Sequence, residues 1–400
     1  MQINMGDVEP ITGRIRLHPG PHPRLSAGHL WVYDSEIAEV QGTPEVGDVV
    51  DVTHGDRLIG RGLFNPRSKI RVRLLTRGAV TIDDAFWLGR IRDAIALRAR
   101  VVSGTTAFRL VHGESDALPG LIVDRYAGVL AMQALSAGIE RRKEALAGWL
   151  REVTGADAVY LRNDAKALAR EGLAPAAGFL AGSAPTEVEI EESGARFVVD
   201  LVHGQKTGWY CDQRENRLAV ATLTRDADVL DVCSHTGAFA VHAARAGARR
   251  VTAMDVSADA LERAQAHAAL NGVGACLTVE MSDAFDGLRR LHREDRRYDL
   301  VILDPPAFAR AKAAVPHALT GYEDLNRRAM QVLTAGGLLV SCSCSHYVSD
   351  SQLWTAILTA ARDVRREVRL LETRGQARDH PILGSMPETR YLKCFILQIV

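Results

Sequence analysis

Ala227-Asp228-Val229-Leu230-Asp231-Val232-Cys233 runs without a break into Ser234-His235-Thr236-Gly237, and Ala238 then opens a new amphipathic segment. The first seven positions read as a strand buried on both faces, and the small residues after them as a tight turn into a helix. A turn of small residues lets backbone N–H groups approach a ligand at a helix start. From there strand and helix alternate to the end of the chain, which predicts a parallel, doubly wound α/β sheet. In such sheets ligands collect beyond the carboxyl ends of the strands. The residues that follow each strand therefore matter most.

Three further strand ends carry acids. The strand 250–254 ends in Asp255, eighteen positions after Gly237, near the roughly twenty expected for a carboxylate that binds ribose hydroxyls. The helix after it starts near Ala258 and stops at Asn271-Gly272. The strand 276–281 ends in Ser282-Asp283-Ala284-Phe285, where a carboxylate can accept from an adenine amino group. Taken singly, Asp255 and Asp283 also suit helix caps. Taken together, after a glycine turn, they predict an adenosine cofactor. The turn lacks the glycines that cradle a pyrophosphate, so S-adenosylmethionine fits better than a dinucleotide. Asp231, Ser234, Thr236, Gly237, Asp255 and Asp283 are the candidate cofactor residues.

The run Tyr298–Leu303 ends in Asp304-Pro305-Pro306-Ala307-Phe308. The turn Gly336-Gly337 leads into a strand at 338–340, followed by Ser341-Cys342-Ser343-Cys344-Ser345-His346. A carboxylate and a thiol would thus share one sheet edge, a pairing suited to attack on a pyrimidine ring. Two positions apart on a strand, Cys342 and Cys344 would face the same way, so both stand as nucleophile candidates. Asp304 and Pro305 would also line the cofactor. Upstream, Lys206-Thr207-Gly208 and Asp212-Gln213-Arg214 form a polar loop placed to cover the cofactor's methionine end. Two thiols at this spacing fall short of four metal ligands, so no metal is expected.

The bulk numbers bound the rest. Four hundred residues, 47% hydrophobic, suit two or three domains with cores of their own. Basic and acidic residues balance at 49 each, which excludes a globally basic nucleic-acid binder but allows a local basic face. Residues 1–10 are mixed and acidic, with no apolar core that would predict a secretory leader. No apolar run suggests a membrane span. Six cysteines without a CxxC pair point to a reducing cytoplasm.

Residues 13–78 alternate short strands and turns, which predicts a small β-barrel. It carries Arg14, Arg16, Arg24, Arg61, Arg67, Lys69, Arg71, Arg73 and Arg77, with Trp31 and Tyr33 among them. These make either an RNA-contacting face or a solvated one. A linking helix is expected over 83–100, capped by Asp83, with Trp87, Ile91, Ala94 and Ile95 inward and Arg90, Arg92, Arg98 and Arg100 outward. Residues 107–184 suggest two strands, a helix over 138–153, then two strands, with Arg162, Asn163, Asp164 and Glu171 as the residues that could carry chemistry, though such residues are more often surface than site. The expected domains are 1–78, 79–186 and 187–400. The apolar close at 395–400 reads as a buried sheet strand, or as a subunit contact in a homodimer.

Together these residues resemble the bacterial PUA-domain 23S rRNA methyltransferases of the class I fold that form 5-methylcytosine. Gly60-Arg61-Gly62 and Asn65-Pro66-Arg67-Ser68 are similar to the PUA segment, and Asp116 to Asp124 to the central domain. Lys206-Thr207-Gly208, Asp212-Gln213-Arg214, Thr236-Gly237, Asp255, Asp283 and Asp304-Pro305-Pro306 match the family's motifs in order. Asp379-His380-Pro381, Pro387-Glu388 and Tyr391-Leu392-Lys393 fit its tail. Many RNA 5-methylcytosine enzymes place a cysteine directly after the Asp-Pro-Pro motif, and this chain does not. The resemblance favours Cys344, flanked by Ser343 and Ser345, as the nucleophile, and Asp304 as the acid at N3. It implies S-adenosyl-L-methionine as cofactor and 23S rRNA or a large-subunit precursor as partner. Phe308 and Tyr347 are candidate stacking surfaces for the base. The competing readings are a guanine ring-nitrogen methyltransferase and a non-catalytic assembly factor that binds RNA.

Overall fold

The computed structural model describes residues 8–163, 168–309 and 311–400; residues 1–7, on which part of the leader reading falls, and Asp164 lie outside the described residues. Two compact units emerge. The first comprises Met1–Ile190, Val198–Cys211 and Arg378–Thr389; the second comprises Glu191–Phe197, Asp212–Ala377 and Arg390–Val400.

The first unit begins with six strands: β1 (Ile11–Leu17), β2 (Trp31–Tyr33), β3 (Ile37–Gly42), β4 (Val49–His54), β5 (Arg57–Phe64) and β6 (Ile70–Thr76). They pair in the order β2-β6-β5-β4-β1-β3. Period-two alternation turns Val72 and Leu74 inward against Ile15, Val50 and Val52, with Arg71 and Arg73 on the other face. Gly60 and Gly62 are fixed by close strand approach, since a Cβ would meet Thr76 O at 2.0 Å and Arg73 O at 2.5 Å. Most of the predicted basic face is already engaged. Arg16 pairs with Glu39, Arg24 with Glu36, Arg61 with Asp51, and Arg73 with Glu114 and Glu171. Arg77 donates to the carbonyls of Leu25 and His29, and Arg71 to that of Pro66. Arg14, Arg67 and Lys69 are exposed.

The linking helix spans Asp84–Val101, and Asp83 caps it by accepting from Phe86 N at 2.8 Å. Arg98 departs from expectation: it is buried, pairs with Asp116 at 2.6 Å and donates to Arg109 O and Asp379 O. Helical periodicity could not show acceptors this far along the chain. The next sheet holds five strands, β7 (Ala107–His112), β8 (Leu121–Tyr126), β9 (Val129–Ala134), β10 (Ala158–Asn163) and β11 (Ala176–Gly182), in the order β11-β10-β9-β8-β7. Three strands precede the helical part, not two, because β8 and β9 form a hairpin across Ala127-Gly128. Ala127 takes φ 49 there, a turn without the Asn-Gly or Asp-Gly signature. The expected single helix is two, Ala137–Glu140 and Lys143–Thr154.

A hairpin, β12 (Glu187–Glu192) with β13 (Ala195–Asp200), precedes the large sheet. That sheet contains β14 (Asp228–Val232), β15 (Arg250–Asp255), β16 (Leu277–Met281), β17 (Tyr298–Leu303), β18 (Leu333–Ser343), β19 (Val368–Arg374) and β20 (Lys393–Ile399). Their order is β16-β15-β14-β17-β18-β20-β19. β14 to β18 run parallel to one another, while β20 runs antiparallel between β18 and β19. Chain order reverses between β14 and β17, which makes their carboxyl ends the switch point where such sheets bind ligands. Gly336 and Gly337 do not precede the strand. β18 already starts at Leu333, and the pairing jumps from Tyr298↔Leu333 to Leu300↔Leu338, so the glycines form an irregularity inside it. The apolar close of the chain is a sheet strand with a neighbour on each side. Among the described residues no helix is long and apolar enough to cross a membrane.

Candidate active site

The turn after β14 is held mainly by backbone hydrogen bonds. Cys233, His235 and Gly237 all take positive φ, at 61, 50 and 77. Ser234 N donates to Met254 O at 3.0 Å, and Gly237 N to Ser234 O at 2.9 Å. A Cβ on Gly237 would sit 2.7 Å from Ala264 Cβ, so helix Ala258–Leu270 leaves room only for glycine. Thr236 O accepts from His267 Nδ1 at 2.9 Å. Asp255 accepts from His235 N at 2.8 Å and from Ser257 N at 3.0 Å, so its carboxylate bridges this turn to the next. Asp255 is not the helix cap; Ser257 is. Asp283 is a cap, its Oδ1 accepting from Phe285 N at 2.9 Å and Asp286 N at 3.3 Å.

Below the turn lies Asp231, fully buried, with Oδ2 accepting from Ala240 N at 3.1 Å. Burial pushes its carboxyl up to about 8, and the charges of Asp304 and Asp255 push the same way. Among the described residues Asp231 Oδ1 and Ser234 Oγ are buried without a hydrogen-bond partner. The carboxylates of Asp255, Asp304, Asp231 and Asp283 all raise the Cys233 thiol, after burial itself. The β14 edge is thus a negative field with buried polar atoms left to satisfy. Such a field suits a cationic sulfonium donor that also carries ribose hydroxyls and an amino-bearing base.

Asp304 stands next door, its N–H donating to Val232 O at 3.3 Å. Cys344 follows the end of β18 and is partly exposed, with Sγ 4.0 Å from Pro305 O. The thiol and the Asp304-Pro305 backbone therefore meet at the same rim. Cys342 does not share that position. It is fully buried, opposite Cys394 in the β18–β20 register, and the Cys394 hydrogen bond and burial raise its thiol well above the ordinary range.

Two family patterns match the chain: a PUA-like domain over residues 15–77 and an S-adenosylmethionine-dependent methyltransferase over residues 108–372. The ribosomal RNA large subunit methyltransferase I of Alteromonas mediterranea is 40% identical, over 97% of this chain and 99% of that one. The protein of the same name from Shewanella denitrificans is 40% identical, over 96% and 99%. The chain belongs to the ribosomal RNA large subunit methyltransferase I family. It is an S-adenosyl-L-methionine-dependent methyltransferase of large-subunit ribosomal RNA, with a class I methyltransferase fold and an N-terminal PUA-like domain. Two solved structures share the fold. One is a SAM-dependent methyltransferase from Streptococcus mutans, with TM-score 0.82 and 21% identity over 96% of this chain and 99% of that one. The other is a methyltransferase complexed with SAH, with TM-score 0.83 and 22% identity over 96% and 99%.

In this methyltransferase the serines beside Cys344 are clamped by a residue the sequence did not single out. Tyr322, on helix Val315–Gln331, accepts from Ser343 Oγ at 2.8 Å and lies 2.9 Å from Ser345 Oγ. Ser345 Oγ also accepts from Ala309 N at 3.3 Å. Lys393, noted earlier only as part of the tail, donates from Nζ to Ser345 O. No spacing rule links positions 322 and 393 to 344; the apolar run of β20 was the available signal that Lys393 heads a strand. Phe308 packs on Tyr322, ring centroids 4.6 Å apart, and stacks on Phe285 at 6.3 Å, whereas Tyr347 is exposed.

The expected polar loop is divided. Lys206, Thr207 and Gly208 belong to the first unit, Asp212, Gln213 and Arg214 to the second. In the first unit Thr207 is buried, donates to Asp124 and lies 2.8 Å from the Tyr126 hydroxyl. Asp124 is itself gripped by Arg109 through two bonds of 2.8 Å. Lys206 Nζ sits 4.4 Å from the Tyr210 ring centre, and Gly208, at φ 135, has no room for a Cβ beside Val199. In the second unit Asp212 Oδ2 accepts from Tyr391 OH at 2.7 Å. Gln213 faces the Cys342 thiol and accepts from Asn216 at 2.6 Å. Arg214 is buried at the head of helix Arg214–Ala221.

Proposed function

We propose that this methyltransferase forms 5-methylcytosine in 23S rRNA, with Cys344 as nucleophile and Asp304 as the acid that holds N3. The carrying observation is the approach of Cys344 Sγ to the Asp304-Pro305 backbone, 4.0 Å from Pro305 O, while Cys342 is sealed against Cys394. Cytosine C5 is a poor nucleophile. Addition of the Cys344 thiolate to C6 makes C5 enamine-like, and a proton shared between Asp304 and N3 disperses the charge that develops. C5 then takes the methyl group from the sulfonium, whose C–S bond breaks; a base removes the C5 proton, and the C6–S bond breaks to release the thiolate. S-adenosyl-L-methionine, when bound, supplies an electrophilic methyl group on a positively charged sulfur. In this reading Asp255 receives the ribose hydroxyls, Asp283 the adenine amino group, and Asp231, Ser234, Thr236, Gly237 and Pro305 line the donor. Asp212, Gln213 and Arg214 complete its methionine end.

The same reading gives three domains separate tasks over 1–78, 79–186 and 187–400. RNA contact by the first falls to Arg14, Arg67 and Lys69, which are exposed and, among the described residues, form no ion pair. Phosphate contact of this kind weakens with salt. The cytoplasm is the expected compartment.

RNA carrying 5-fluorocytidine tests the chemistry, because fluorine blocks the final elimination. A stable protein–RNA adduct is expected from the native chain and from Cys342→Ser, and none from Cys344→Ser. An adduct that survives in Cys344→Ser but vanishes in Cys342→Ser reassigns the nucleophile. Methylguanosine in the digested product, with full activity in both variants, removes the thiol mechanism.

A further inference from the structure

Lys393 opens β20 and stands opposite Ser343 in the β18–β20 register. It is 3% exposed. Nζ donates to Ser345 O at 2.7 Å and to Tyr391 O at 2.9 Å. Among the described residues it forms no ion pair. Burying an ammonium without a carboxylate is costly, and two carbonyl oxygens satisfy only two of its three N–H bonds. The amine is fastened to the residue directly after Cys344, and the Cys344 sulfur is one of the charges it feels.

We propose that Lys393 is a positioning residue for Cys344: it pins the turn through Ser345 O, and its ammonium stabilises the thiolate at the head of that turn. The inference rests on the reading of Cys344 as nucleophile. Ionisation sends the thiol proton to solvent and leaves the electron pair on sulfur, so a buried cation gains an anion. The other charges facing the amine are Asp350, from helix Asp350–Asp363, and Arg390, from the segment before β20. Tyr322 feels the Cys344 charge from helix Val315–Gln331, and Asp304 lies across the rim. Burial pulls the amine down to about 8; Asp350 and Cys344 oppose this, and Arg390 adds to it. A charge on Cys344 therefore favours the protonated amine.

Alkylation of Cys344 by iodoacetamide, followed against pH by peptide mass spectrometry on the full chain, tests this. In Lys393→Met the alkylation midpoint should rise by about one pH unit, slowing the reaction about tenfold at pH 7. Lys393→Arg should stay within about threefold of the native rate. S-adenosylhomocysteine binding reports that each variant is folded. An unmoved midpoint in folded Lys393→Met overturns the proposal. Should that variant fail to fold, Cys344→Ser provides the reciprocal measurement: the Lys393 amine, followed by NMR of 13Cε-labelled lysine, should titrate at lower pH than in the native chain. An unchanged titration overturns the proposal equally. Neither readout requires turnover, so undiminished methylation by Cys344→Ser would separately reject the nucleophile assignment.

Discussion

The turn after β14 and the turn after β18 sit at the same edge of one sheet, yet they are held by different means. The β14 turn is fixed largely by its own backbone: three positive φ values, a hydrogen bond of 3.0 Å to β15 and a glycine pressed against Ala264, with the Asp255 and His267 side chains bonding that backbone in turn. The β18 turn is fixed by side chains from elsewhere, Tyr322 gripping the serines on both sides of Cys344 and Lys393 gripping the carbonyl beyond it. A turn that must present backbone donors needs exact φ and small residues. A turn that must present one thiol can be loose in sequence, provided that distant groups lock it. Damage should therefore show as lost cofactor binding in the first and as a misplaced thiol in the second.

The largest expected effect is at Gly237. Gly237→Val forces a β-branched residue to φ 77 and places Cβ 2.7 Å from Ala264. A loss of about 3 kcal/mol in stability is expected. S-adenosylhomocysteine affinity should fall at least tenfold, as measured by calorimetry. Retained affinity would mean that the β14 turn does not touch the cofactor. Next comes Tyr322→Phe, which strips a shared hydroxyl from buried Ser343 and Ser345. It should cost about 1–3 kcal/mol in urea unfolding. Cofactor affinity should change less than threefold while the methylation rate drops more, because only the thiol turn is disturbed. Equal losses in both would erase the contrast between the turns.

The last prediction concerns the pH dependence set by Asp231. Its carboxyl is raised to about 8 in the folded chain, against about 3.9 when unfolded. The folded state binds that proton more tightly, so the contribution is present in full below about pH 4 and is lost as pH rises to about 8. Asp231→Asn should flatten that part of the stability–pH curve in chemical denaturation across pH 4 to 9. An unaltered slope would show that Asp231 ionises normally beneath the turn.

Much of this architecture could be read from local patterns. β15 and β17 end where their apolar runs end, the Gly237 turn enters its helix at Ala238, and Asp83 caps the linking helix as expected. Local patterns failed where partners lie far apart. β9 was missed because Ala127-Gly128 lacks a strong turn signature, and Arg98 was placed outward because its acceptors lie at Arg109, Asp116 and Asp379. The early start of β18 at Leu333 was hidden by two glycines that read as a turn but sit within the strand.

The amino-acid order alone determined the alternating elements and which acids and thiols fall at strand ends, because those follow from the period of apolar residues and the chemistry of turns. Only the tertiary structure decided which thiol is accessible. Cys342 and Cys344 have the same local credentials, but burial depends on the neighbouring strand: β20 seals Cys342 with Cys394 and, one position earlier, supplies Lys393 to the turn that carries Cys344.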